Sequence, residues 1–252
     1  MQCRQFRRLL RVFINSFTSR VFAMPTLRPC ETHLDVVRFG HKLPHFADAL
    51  RHQRKIKLVA LGSSSTAGAD NILPFPPRLE MLLRQRFFGR MIDVINRGIG
   101  GQEAPEEYSR IESDVTAEAP VLVIWQVGTN AVYKSYNPAE VRATLEAGLD
   151  VLAALPLDVV VMDSQYTQAI VGTEAALNLA NVIMPMIAEV TASKKVNLFS
   201  RFALMKHWTD DGIPLAELDD GGQLHTSEWA TNCVTQSLFG AIDDALKPEA
   251  IT

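Results

Sequence analysis

The stretch IKLVALGSSSTAG, residues 56–68, begins as an apolar run and ends in small hydroxyl and glycine residues. Ile56, Leu58, Val59, Ala60 and Leu61 show no alternation of apolar and polar positions, the pattern of a strand covered on both faces by helices. Gly62 ends the strand. Ser63, Ser64, Ser65 and Thr66 then set four hydroxyls at its carboxyl end, where α/β proteins place their ligands.

Outward from this stretch the chain alternates strand and helix. The spacing of Leu79, Leu82, Leu83 and Arg86 predicts a helix over 77–88, and 91–95 reads as a second strand running into the turn Asn96-Arg97-Gly98-Ile99-Gly100-Gly101. A helix over 105–117 precedes a third strand, 121–127, stopped by Gly128-Thr129-Asn130. Another helix follows Pro138, a fourth strand at 159–162 leads into Asp163-Ser164-Gln165-Tyr166, a helix covers 174–193, and 196–199 is the fifth strand. This alternation implies right-handed crossovers and a parallel sheet: an α/β fold, a three-layer α/β/α sandwich on a five-stranded, flavodoxin-like sheet. With strand order 2-1-3-4-5, a crevice opens between strands one and three, and Ser64, Gly101 and Asn130, each just past its own strand, line it. Turn chemistry alone also selects such residues. Three of these turns at successive strand ends, with His225 in a polar loop near the chain end, favour a site.

Composition narrows the function. The 252 residues are 47% hydrophobic and 21% charged with a net charge of -3, as in one large α/β domain with a short extra segment. No basic stripe tracks phosphates, which excludes nucleic acid as a partner. Cys3, Cys30 and Cys233 are too few and too widely spaced for a disulfide framework or metal cluster, and read as buried or idle thiols. Residues 1–30 form a distinct basic segment, with Arg4, Arg7, Arg8, Arg11, Arg20 and Arg28 and no acid. Phe6, Leu10, Phe13 and Phe17 fall three or four apart. A helix there would be basic and amphipathic, suited to weak membrane-surface contact through residues 4–21 or to targeting; a disordered tail, or a start at Met24, is the other reading. Asn15, Ser16 and Thr18 interrupt any membrane-spanning core. Apart from that segment, a cytoplasmic location is favoured.

Four blocks carry a resemblance. Gly62-Ser63-Ser64-Ser65-Thr66-Ala67-Gly68, Asn96-Arg97-Gly98-Ile99-Gly100-Gly101, Gly128-Thr129-Asn130 and Leu224-His225 are similar, in order, to those of the SGNH (GDSL-type) hydrolases, over residues 56 to about 246. The resemblance implies a hydrolase domain over 56–247, behind a lead-in at 31–55. It implies cleavage of a carboxylic ester, as an esterase or as a deacetylase of an acylated small molecule or carbohydrate, with a small-molecule acyl ester as partner and neither cofactor nor metal. Ser64 would be the nucleophile, His225 its base, and the backbone N–H groups of Ser64 and Gly101 with the Asn130 amide the oxyanion hole. A serine hydroxyl needs a base to take its proton, and histidine titrates in the right range to do so. The chain departs from the family at Ser63 and Ala131, where Asp is common, and at Gly222, three residues before the histidine, where the triad acid usually stands. Asp219 and Asp220 precede His225 by six and five residues. Asp220 is assigned the role, with Gly221 and Gly222 letting the loop fold back, and Asp219 competes for it.

Two other functions fit parts of the pattern. A flavodoxin-like domain would cradle a flavin or nucleotide phosphate on Ser63–Thr66, although no P-loop lysine follows and the glycine turn ends in Gln102-Glu103. An SGNH-like domain without activity, binding a ligand only, would explain the displaced acid. His33, His41, His45, His52 and His207 lack metal-ligand spacing and read as surface or packing residues. Asp210 and Asp211 read as solvated charges, Trp229 as helix packing rather than an acyl-pocket wall, and Gln165 and Tyr166 as strand-end residues rather than substrate contacts.

Overall fold

A computed structural model describes residues 28–69 and 71–248. Five strands, β1 (Lys55–Gly62), β2 (Met91–Gly98), β3 (Leu122–Gln126), β4 (Asp158–Met162) and β5 (Asn197–Phe199), form one sheet in the order β2-β1-β3-β4-β5, every pair parallel. This is the expected flavodoxin-like order. The helices are α1 (Leu34–Val37), α2 (Pro44–His52), α3 (Ser64–Ala67), α4 (Phe75–Arg86), α5 (Ala104–Tyr108), α6 (Ile111–Asp114), α7 (Thr129–Tyr133), α8 (Pro138–Ala153), α9 (Gln168–Val171), α10 (Glu174–Lys194), α11 (Arg201–Asp210) and α12 (Glu228–Leu246).

The unbroken apolar run of β1 serves both faces of the sheet because successive side chains point to opposite sides. Ile56, Leu58 and Ala60 enter one core with Phe46 of α2, Leu79 and Leu83 of α4, Trp208 of α11 and Leu238 of α12. Val59 and Leu61 enter the other with Ile111 of α6, Leu145 of α8 and Ile183 and Ile187 of α10. Close packing fixes the nucleophile turn against β2: a Cβ on Gly98 would fall on the backbone of Ala67 and Thr66, so only glycine lets α3 sit this close.

Three sequence expectations change. The single helix read over 105–117 is two short helices and a 3-10 turn at Thr116–Glu118. It breaks at Arg110, φ -116°, whose guanidinium turns inward to donate to the carbonyls of Arg97 (2.7 Å) and Gly62 (3.0 Å). Next, β2 runs on to Gly98, because Ala60, Leu61 and Gly62 keep it paired through the residues read as a turn. Finally, Cys30 and Cys233 are not idle thiols: they form a disulfide, Cα–Cα 5.1 Å, although 203 positions apart. Sequence spacing misled here because α12 returns across the sheet to meet the lead-in segment. The Trp208 and Trp229 indoles secure the same segment by donating to the carbonyls of Glu31 (2.8 Å) and Arg28 (2.9 Å). Cys3 and the amphipathic pattern at 4–21 lie outside the described residues.

Candidate active site

Ser64 is the first residue of α3, with Ser63 alone between it and the end of β1. Its neighbours are committed elsewhere. The Ser63 amide and hydroxyl donate to Gln126 Oε1 (3.2 and 3.0 Å), the Thr66 hydroxyl donates to the same oxygen (3.3 Å), and the Ser65 hydroxyl donates to Gln165 Oε1 (2.8 Å). Ser64 Oγ instead lies 3.0 Å from His225 Nε2, within the reach a general base needs.

The histidine loop is closed on itself and tied to β4. Asp220 N donates to the His225 carbonyl (3.0 Å), and Asp219 bridges Thr226. Gly221 takes φ +86°, a left-handed turn that glycine permits. Leu224 O accepts from Gln165 Nε2 (2.9 Å) and the Thr167 hydroxyl (3.0 Å). Within this loop Asp220 Oδ2 is 3.7 Å from His225 Nδ1, in ion-pair range, and the Asp220 side chain is only 5% exposed. Asp219 faces another way, its Oδ1 accepting from Gly221 N (2.9 Å).

The glycine and asparagine turns meet beside the serine. A Cβ on Gly100 would lie 3.9 Å from Ser64 Cβ, and Gly101, φ +81°, offers its carbonyl to Lys134 Nζ at 2.6 Å. Asn130 is buried, and its amide donates to the Gln102 carbonyl (2.7 Å). That uses one of its two N–H groups. Glu103 joins the two turns: Oε1 accepts from Gly128 N (2.8 Å) and Ala104 N (3.1 Å), and Oε2 from Ala131 N (2.7 Å). Burial pushes the Glu103 carboxyl above its usual range, against these three N–H bonds. Burial and the Glu103 charge push Glu107 well above it, although Trp125 Nε1 donates to Glu107 Oε2 at 2.8 Å.

A buried polar layer supports the site from below. Gln126 Nε2 donates to Thr129 Oγ1 (3.4 Å), and Arg201 donates to the same oxygen (3.3 Å) and to the Asp163 carbonyl (3.0 Å). Burial raises the Asp163 carboxyl to about 7 and lowers Arg201 to about 10. Gln165 belongs to this layer, fully buried; Tyr166 packs edge-on against Phe202, with ring centroids 5.0 Å apart. Trp229 leans on Trp208 at 5.1 Å and does not line the cavity at Ser64.

Ser64, His225, Asp220, Gly101 and Asn130 were all legible as candidates, and the structure sets Asp220, His225 and Ser64 in one chain of contacts. Glu103, Arg110, Gln126 and Arg201 were missed. Gln126 had a signal, a polar residue inside an otherwise apolar strand; Glu103 and Arg110 stand in polar stretches that show none. The cavity beside Ser64 and His225, walled by Gly68, Ile72, Pro74 and Thr231, is small, about 20 Å³. A larger groove of about 450 Å³, containing His45, Pro120 and Pro156, lies at the amino ends of the strands, away from every residue above.

The fold has counterparts. A catalytic mutant of Axe2, an acetylxylan esterase from Geobacillus stearothermophilus, superposes with a TM-score of 0.65 at 17% identity, over 74% of this chain and 94% of that one. The lipase/acylhydrolase from Enterococcus faecalis gives 0.63 at 22% identity, over 77% and 99%, and TesA gives 0.62 at 17%, over 75% and 99%. At these identities the likeness is one of fold. No curated protein matches the sequence. The model of the Non-GDSL lipase-like family matches residues 29–248, nearly all that is described, and the chain belongs to that family.

Proposed function

We propose that the protein cleaves carboxylic esters of short acyl groups through an acyl-enzyme at Ser64. Family and fold make it an ester-hydrolysing enzyme of the SGNH type; the proposal adds the residues, the intermediate and the acyl size. It rests on the 3.0 Å approach of His225 Nε2 to Ser64 Oγ. His225 takes the hydroxyl proton as Oγ attacks the acyl carbon, and returns it to the departing alkoxide. The oxyanion is received by the Ser64 and Gly101 N–H groups and the second N–H of Asn130, in a hole that Glu103 holds together. Asp220 keeps the imidazole in the tautomer that accepts at Nε2 and stabilises it when charged. Water then attacks the acyl-enzyme by the same route.

The restricted space beside Ser64, walled by Gly68, Ile72, Pro74 and Thr231, favours a short acyl group. An acetyl ester also agrees with the likeness in fold to Axe2, an acetylxylan esterase. The phosphate-binding reading loses its ligands: the hydroxyls of Ser63, Ser65 and Thr66 that would cradle a phosphate are bonded to Gln126 and Gln165. The test is a series of p-nitrophenyl esters from acetate to dodecanoate. We expect kcat/KM to be highest for acetate or propionate and to fall with chain length; a maximum at the long esters would overturn the assignment of acyl size, and no turnover of any ester would overturn the enzyme.

The acid has its own test. Asp220→Asn should lower kcat at least about tenfold, while Asp219→Asn stays within a few fold, because Asp219 only caps the Gly221 amide. Steady-state kinetics on the two variants decide between them. The reverse ranking would move the role to Asp219, and no effect from either would leave a Ser64–His225 dyad.

A further inference from the structure

We propose that His33, His207 and Asp211 form a binding site for one divalent transition-metal ion of the zinc type. No two of these residues suggested a metal site by spacing, yet the fold brings them together. His207 and Asp211 lie four residues apart at the carboxyl end of α11, and His33 approaches from the lead-in segment just before α1. The three ligand atoms all fall within 4.8 Å of one another: His33 Nε2 is 3.5 Å and His207 Nε2 3.8 Å from Asp211 Oδ2. Tetrahedral zinc with bonds of about 2.0–2.1 Å holds its ligands about 3.3 Å apart, so small side-chain rotations would close the set around an ion.

Further observations point to a ligand. His33 Nε2 is buried and, among the described residues, has no hydrogen-bond partner; it stands at ion-pair range from Asp211 without bonding to it. Buried nitrogens are seldom left so. His33 also holds the left-handed conformation, φ 39°, which costs a non-glycine residue energy and here goes with the ring's approach to the other two ligands. The negative end of the α11 dipole adds to the attraction for a cation. A cavity of about 370 Å³ touching His33 and Asp211, with Trp208 and Trp229 as its walls, leaves room for water at the fourth position. Two imidazoles and one carboxylate suit zinc, and cobalt as its spectroscopic substitute, better than calcium or magnesium. The ion would pin the lead-in segment to α11. None of the three lines the cavity at Ser64, so the inference does not rest on the hydrolase reading.

The test uses tag-free, full-length protein stripped with EDTA and titrated with zinc chloride by calorimetry, with cobalt(II) absorption as a second readout. We expect one equivalent to bind, the tetrahedral cobalt spectrum to develop, and the melting temperature to rise. His207→Ala and Asp211→Asn change side chains that are 43% and 53% exposed, so both variants should fold. Each should weaken zinc by more than the roughly tenfold that losing even an outer-sphere partner costs. Asp210→Asn, whose partner is Lys206 at 2.7 Å, should leave it unchanged. Absence of binding by the unmodified protein, or undiminished binding by both variants, would overturn the site.

Discussion

Ser64→Ala should lower kcat by at least about 10⁴-fold with the fold intact, the scale on which losing a triad nucleophile is felt. Ser64 is followed and preceded by serines, so the identity of the nucleophile is a real question, and their hydrogen bonds bear on it. Ser63 is 1% exposed with its hydroxyl on Gln126, and the Ser65 hydroxyl is on Gln165. Of the three serines, it is Ser64 whose hydroxyl lies at His225. A fluorophosphonate should therefore add once, on Ser64, as read by peptide mass spectrometry. Circular dichroism should be unchanged, since among the described residues the Ser64 hydroxyl meets the His225 imidazole and ties no elements of the fold together. An adduct on Ser63 or Ser65, or retained turnover in Ser64→Ala, would remove the nucleophile assignment.

Asn130→Ala should reduce kcat by about 10²–10³-fold, with KM changing less, the cost of deleting one oxyanion donor. The split matters because Asn130 has two employments. Its amide donates to the Gln102 carbonyl, a contact of the resting protein, and has a second N–H for the charge that develops on the substrate oxygen. Loss of the first alone would lower stability and leave kcat near normal; loss of the second lowers kcat. Glu103 makes the distinction readable, because it holds Gly128 N and Ala131 N independently of the Asn130 side chain, so the turn should keep its shape in the variant. Kinetics with a thermal melt of the same preparation check both terms.

The parts of the molecule that follow from local chain chemistry were legible. An apolar run without alternation predicts a two-sided buried strand, and β1 does divide its side chains between two cores. Strand alternation with helices predicts a parallel sheet, and the observed order is the expected one. The residues proposed for the site sit at strand ends, where turn chemistry marks them. What the sequence hid are contacts between distant positions. Arg110 interrupts a helix that its neighbours would continue, and its guanidinium reaches carbonyls on β1 and β2 that no local pattern announces. Glu103 is an ordinary polar residue until Gly128 and Ala131 arrive with their amides. His33 and His207 are 174 positions apart and acquire meaning only when the lead-in segment lies along α11.

The Cys30–Cys233 bond turns the chain from residue 30 to 233 into a covalent ring that contains all five strands. In the chain-entropy account, closing a ring of this size restricts the unfolded ensemble by roughly 5 kcal/mol. It also changes what a backbone cut means. A nick at the Phe88–Gly89 turn, where Phe88 is 96% exposed, frees no fragment: it opens the ring into a single branched molecule in which both halves of the sheet stay joined, and only a reductant separates them. In an oxidising compartment the two pieces of a nicked chain would stay covalently linked, and in a reducing one only the packing of the sheet and its cores would hold them.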